Sequence, residues 1–113
     1  MTKDTLTLRQ KLILFLISYD GFNDQYRLDK LLDRADFPSE LGKNLPPLLM
    51  EELICVIGFA NNGAPFKYEL TEKGKKVLAE NAFRTEVLNY IKTMQEPTFL
   101  LQVTAKLMDR ENG

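Results

Sequence analysis

Ile54-Cys55-Val56-Ile57-Gly58-Phe59-Ala60-Asn61-Asn62-Gly63-Ala64-Pro65-Phe66-Lys67-Tyr68-Glu69-Leu70 is the stretch on which the fold turns. The apolar run from Ile54 to Ala60 reads as a strand. Asn61-Asn62-Gly63-Ala64-Pro65 then reads as a turn, because Asn-Gly supplies the positive φ angles that a hairpin needs. On the return, Phe66, Tyr68 and Leu70 alternate with Lys67 and Glu69, the period-two pattern of a strand with one buried face. Thr71 follows as an N-cap and opens a helix from Glu72 to about Asn81, with Val77 and Leu78 turned inward.

Three helical segments lead up to the hairpin. From Thr7 to Asp20, the residues Leu8, Leu12, Phe15, Leu16 and Tyr19 share one helix face. Ile13 and Ile17 widen that apolar arc beyond the stripe of an ordinary surface helix, so cover from two sides is expected, and Gly21 ends the helix. Asn23 or Asp24 caps a second helix in which Leu28, Leu31, Leu32 and Ala35 form the buried stripe. Phe37-Pro38 ends it, since the residue before a proline avoids helical dihedrals. Ser39 is the N-cap candidate for a third segment, Glu40 to Leu53. In a helix interior each proline of Pro46-Pro47 removes a donor and clashes with the preceding turn, at about 3 kcal/mol or more. The expectation is a short helical turn over 40–43, a break, and a separate helix from Pro46 to Glu52.

After the hairpin the chain is helical again. Phe83, Val87, Tyr90, Ile91 and Met94 form one stripe, broken at Glu96-Pro97, and Thr98 can cap a last helix carrying Leu100, Val103, Thr104 and Leu107.

Composition narrows the chemistry. The 113 residues suffice for one domain without a disulfide or metal staple. There is no histidine and a single cysteine, Cys55. That removes the commonest general base, the partner of nucleophilic triads and the usual zinc ligands. No glycine-rich phosphate loop or Gly-x-Ser-x-Gly string occurs. We therefore expect no enzyme, no catalytic residues, no metal and no cofactor. The longest apolar runs fall short of a membrane span of about 20 residues, and no signal-peptide pattern opens the chain, so a cytoplasmic protein without membrane contact is expected. Net charge is −1, from 15 basic and 16 acidic residues, which gives no global attraction to nucleic acid and leaves only a local patch to provide it.

The order helix, helix, helix, hairpin, helix is that of a winged helix, and two strings carry the likeness further. Leu45-Pro46-Pro47-Leu48-Leu49-Met50-Glu51-Glu52-Leu53-Ile54 resembles the L-x-x-L-x-x-x-G-L-I string closing the recognition helix of MarR-like and PadR-like transcriptional regulators. Tyr68-Glu69-Leu70-Thr71-Glu72-Lys73-Gly74-Lys75-Lys76-Val77-Leu78 is similar to their Y-x-L-T-x-x-G-x-x-x-L string. The resemblance implies an α+β, mostly α fold: a winged-helix domain (three-helix core plus β-hairpin wing) over 1–81, and a C-terminal helical extension over 82–113 acting in dimerisation. It further implies a cytoplasmic transcription regulator, a homodimer bound to double-stranded DNA. By position, Ser39, Lys43 and Asn44 on the third helix, Asn61, Asn62 and Lys67 on the wing, and Lys73 and Lys75 behind it would meet DNA. Ile13, Ile17, Val87, Ile91, Leu100, Val103 and Leu107 would form the dimer interface. The chain departs from the pattern twice: Glu52 replaces the closing glycine, and Pro46-Pro47 fills the gap that reads DNA, in a segment of net negative charge. Those departures support an alternative, a winged-helix protein–protein interaction module that does not bind DNA. An effector pocket lined by Phe15, Tyr19, Tyr90 or Phe99 is one reading of those aromatics, and core packing is the simpler one.

Overall fold

The computed structural model describes residues 6–19, 22–35, 38, 40–93 and 97–112, and within these the side chains of all but Asn81, Phe99 and 107–112. Among them, six helices and a two-stranded antiparallel hairpin make an α+β, mostly helical chain. The elements are α1 (Leu8–Ile17), α2 (Gln25–Arg34), α3 (Leu41–Met50), β1 (Ile54–Phe59), β2 (Pro65–Leu70), α4 (Glu72–Leu78), α5 (Asn81–Lys92) and α6 (Thr98–Asn112).

Helix α1 begins in a capping box. The Thr7 hydroxyl accepts from the Gln10 N–H, and the Gln10 side chain accepts from the Thr7 N–H, both at 3.1 Å. Every residue from Leu12 to Ile17 is exposed by 3% or less. A helix apolar all round must be covered all round, and α2, α3, α5 and β2 all pack on this one. Phe83, Val87 and Ile91 of α5 and Leu100 of α6 belong to the same core, which therefore runs across the boundary expected at 81/82. Lys11 of α1 pairs with Glu86 of α5, tying the two helices at their rim.

Asp24 caps α2, accepting from the Arg27 N–H at 2.7 Å, and Leu28, Leu31, Leu32 and Ala35 are buried as their spacing required. The third segment corrects the expectation of a break: α3 is one helix straight through Pro46 and Pro47. Leu45 and Leu48, on either side of the prolines, are both core residues. Breaking the helix would expose one of them, at about 2 kcal/mol. The carbonyls deprived of their donors belong to Gly42 and Lys43, four residues upstream, and both residues are exposed, so water can reach them. The N-cap position is Glu40, with φ of 46°; Ser39 lies outside the described residues.

At its far end α3 closes in a Schellman motif. Leu53 N–H donates to the Leu48 carbonyl and Glu52 N–H to the Leu49 carbonyl, each at 3.0 Å. Glu52 adopts φ of 59°, the left-handed conformation that a glycine takes at this point. Thr71 then bridges to the same corner. Its hydroxyl donates to the Glu52 carbonyl and accepts from the Gly74 N–H, capping α4. A Cβ on Gly74 would lie 2.2 Å from the Leu53 carbonyl oxygen, so the glycine of the second string is set by close approach.

The hairpin pairs Ile54 with Leu70, Cys55 with Glu69 and Val56 with Tyr68, then shifts register around Gly58 to pair Gly58 with Lys67 and Phe59 with Pro65. Gly63 carries the positive φ, 84°, that the turn needs. Tyr68 is buried, Phe66 and Leu70 are half-buried, and Lys67 and Glu69 are exposed, the alternation read from the sequence. The outer edge of β2 is closed by the residues before α2: Tyr68 N–H donates to the Asn23 carbonyl at 2.8 Å, and Asp24 bridges to Lys67.

Candidate interaction face between the third helix and the hairpin

The polar residues expected to meet DNA are mostly occupied within the chain. Lys43 is exposed, but its ammonium lies 3.1 Å from Glu40 Oε2. Arg9 of α1 reaches the same carboxylate. Hydrogen bonds from Lys43 first, and then from Arg9, hold the Glu40 carboxyl below the usual glutamate range. Asn44 points inward: it is buried and its Nδ2 donates to the Glu40 carbonyl at 3.0 Å, so it offers no side chain to a base edge. Asn61 and Asn62 are exposed at the hairpin tip, where Asn62 Oδ1 accepts from the Ala64 N–H. Lys67 is exposed on β2. Lys73 and Lys75 on α4 lie 4.0 Å from Glu51 and 3.4 Å from Glu72.

The apolar residues assigned to a second copy need the same correction. Ile13, Ile17, Val87, Ile91 and Leu100 are core of a single chain and leave no surface to share. Only Val103 is half-exposed, and the side chain of Leu107 lies outside those described. Of the expected effector-pocket aromatics, Phe15 is fully buried and packs edge-on against Tyr19, with ring centroids 5.2 Å apart. Tyr19 and Tyr90 are half-buried against the core. Phe99 is outside the described side chains.

The surface between α3 and the hairpin is apolar instead. A groove of about 280 Å³ is lined by Leu41, Gly42, Leu45, Pro46 and Leu49 of α3, Ala64, Pro65 and Tyr68 of the hairpin, and Gln25 of α2. Gln25 Nε2 spans it, donating to the Pro65 carbonyl at 3.1 Å and to Tyr68 Oη at 2.7 Å. A second groove of about 420 Å³ shares Gln25 and Leu41 and adds Tyr26, Asp29, Glu40 and Phe66. No Lys or Arg lines either one. Tyr26 of α2, at 59% exposure, and Met50 at the end of α3, at 83%, stand on the surface of the same two helices. Sequence reading missed Tyr26, Gln25 and Pro65. The available signal was Tyr26 itself, an aromatic lying off the Leu28–Leu31–Leu32–Ala35 stripe.

A separate cavity of about 370 Å³ lies between the end of α1, the residue before Asp24 and the hairpin. It is lined by Ile17, Ser18, Asn23, Ile57, Lys67, Glu69, Leu70 and Lys75.

Among the described residues, no three His, Cys, Asp or Glu side chains cluster as metal ligands, and no helix is long and apolar enough to cross a membrane. Cys55 is half-buried on β1. The chain matches no protein-family model, no curated protein and no solved structure.

Proposed function

We propose that the chain is a protein-interaction module of winged-helix layout, and that it docks its partner on the face between α3 and the hairpin. The carrying observation is the chemistry of that face. A helix that reads the major groove brings Arg, Lys, Asn or Gln to base edges. Here Lys43 is tied to Glu40, Asn44 is turned inward, and the groove wall is Leu41, Leu45, Pro46 and Leu49. Exposed Tyr26 lines the second groove and exposed Met50 ends α3, and aromatic residues and Met are enriched at the buried centre of a protein interface.

A photo-crosslinking amino acid at Met50 should capture a discrete protein in the source cells, and the same probe at Glu80 should capture none. Absence of any protein adduct from Met50 would sink the proposal.

Double-stranded DNA, bound by a transcription-regulating dimer, is the second reading. It is favoured by the exposed wing residues Asn61, Asn62 and Lys67 together with the Tyr68–Leu78 string. A gel-shift titration at low salt separates the two. Retarded duplex that is released by Lys67→Glu but unaffected by Pro46→Glu would support DNA contact through the wing and count against docking on α3.

A further inference from the structure

The two edges of the hairpin are finished differently. On the outer side of β2, Asn23 engages both backbone groups of Tyr68: its carbonyl accepts from the Tyr68 N–H at 2.8 Å, and its Nδ2 donates to the Tyr68 carbonyl at 2.9 Å. Among the described residues nothing pairs with the outer side of β1. The groups left open there can be named. Tyr68 stands opposite Val56 in the ladder and turns its N–H and C=O away from β1. The two therefore form a pair without hydrogen bonds between them, and in such a pair both residues direct their backbone groups outward. The N–H and C=O of Val56 face the free edge, and Val56 itself is half-buried.

Edge strands are ordinarily kept from pairing by charge, by proline or by cover. Among the described residues β1 has none of these. No residue from Leu53 to Phe66 is charged, and Ile54–Phe59 contains no proline. Ile57 and Phe59 stand 46% and 66% exposed on the strand. The register shift around Gly58 shortens the regular edge but leaves Val56 ahead of it.

We infer that β1 pairs antiparallel with β1 of a second copy of this chain, across a twofold axis at Val56. Each Val56 N–H donates to the Val56 carbonyl of the other copy, which places Cys55 opposite Ile57 of the second copy. Two observations select a second copy over a foreign strand. Both edges are neutral, so identical strands meet without like-charge repulsion. Joining two hairpins at β1 also makes one continuous sheet whose outer edges are the two β2 edges, each already closed by Asn23. No edge is left to recruit a further strand, as a closed isologous dimer requires. A foreign strand would cover β1 only by exposing an edge of its own. The inference does not rest on partner docking at α3, since no β1 residue lines either groove of that face.

The test follows the mass of the whole chain by light scattering as concentration rises. The mass should approach that of two chains. Ile57→Lys, at an exposed position, should raise the dissociation constant at least about tenfold and melt as the wild type does in dilute solution. A chain that keeps the mass of one copy up to about 1 mM, the weak end of association, would overturn the inference. So would a dimer that Ile57→Lys leaves intact. Oxidation tests the register. Cys55 and position 57 of the second copy form a pair of the closer kind, with Cα atoms about 4.5 Å apart, within disulfide reach. Ile57→Cys should therefore give a covalent dimer. The wild type should give none, because the two Cys55 residues lie two positions apart along the pair, beyond about 7 Å. Met50→Cys, on α3, should give none either. No covalent dimer from Ile57→Cys, or one formed equally by the wild type or by Met50→Cys, would put the contact elsewhere and overturn the inference. Should Ile57→Lys fail to fold, Phe59→Lys takes its place, and the oxidation decides independently.

Discussion

The corner where α3 runs into β1 and β2 runs into α4 is built differently from the α3–hairpin face a few residues away. At the corner the backbone is engaged: Leu53 N–H and Glu52 N–H close α3, the Leu53 carbonyl accepts from the Thr71 N–H at 3.1 Å, and the Thr71 hydroxyl donates to the Glu52 carbonyl. On the face, Pro46, Ala64, Pro65 and Met50 are exposed. The difference teaches where the family-like strings act. The Tyr68–Leu78 string specifies architecture, because its threonine and glycine are consumed by the corner. The two departures of the Leu45–Ile54 string fall one on each side: Pro46-Pro47 on the face, and Glu52, at φ of 59°, in the corner itself.

The sharpest way to break the comparison is Gly74→Ala. With a Cβ only 2.2 Å from the Leu53 carbonyl oxygen, either α4 or the strand entrance has to move. We expect a loss of about 3 kcal/mol by urea denaturation; a loss below about 1 kcal/mol would show that the corner is softer than its geometry implies. Glu52→Gly works in the other direction. A non-glycine residue in the left-handed region costs about 1–2 kcal/mol, part of which returns as unfolded-chain entropy when glycine is introduced. The expected net gain is about 0.5–1 kcal/mol. A variant less stable than the wild type would mean that the Glu52 side chain does more than its exposure suggests.

Much of the corner was legible in the sequence, and much of the face was not. The hairpin, the positive φ of Gly63 in its turn, the Thr71 cap and the inward Val77 and Leu78 follow from local rules and are found, and of the two caps open for α2, Asn23 and Asp24, Asp24 is the one used. The continuity of α3 was not legible, because the penalty for Pro46-Pro47 is local while the burial of Leu45 and Leu48 that offsets part of it is tertiary. The fate of the apolar residues in α1 and α5 failed for a related reason. A surplus of apolar faces reads as an interface until it is known that α1 is wrapped on every side by its own chain. The groove could not be read either, since Gln25, Tyr26, Pro46 and Pro65 are brought together only by the packing of α2, α3 and the hairpin.

On the face itself, stability should be nearly indifferent to side-chain identity. Met50→Ser removes an apolar side chain that is 83% exposed and is expected to change the unfolding free energy by less than about 0.5 kcal/mol. The same substitution should weaken partner capture. A loss of 2 kcal/mol or so would place Met50 among the residues that hold the fold, and would remove the contrast from which the interaction face was argued.

The smallest effect is electrostatic, and pH isolates it. Glu40 stands at the start of α3 with Lys43 and Arg9 on its carboxylate, and its folded-state pKa is lowered by those two partners. A carboxyl group whose pKa falls on folding adds stability above its unfolded value, and that stability disappears as the pH drops through the lower, folded value. Glu40→Gln carries no such charge. The wild type should therefore be slightly the more stable at neutral pH, and the two should converge in the acid range below the ordinary glutamate value. Added salt should narrow the gap in the same way, because the pair is exposed and screened. A gap that persisted unchanged to low pH would assign the effect to an uncharged contact of the residue 40 side chain, and would free Lys43 from the role given to it here. In that case the one cation of α3 would be available to a phosphate, and the balance between the two readings of the face would shift toward DNA.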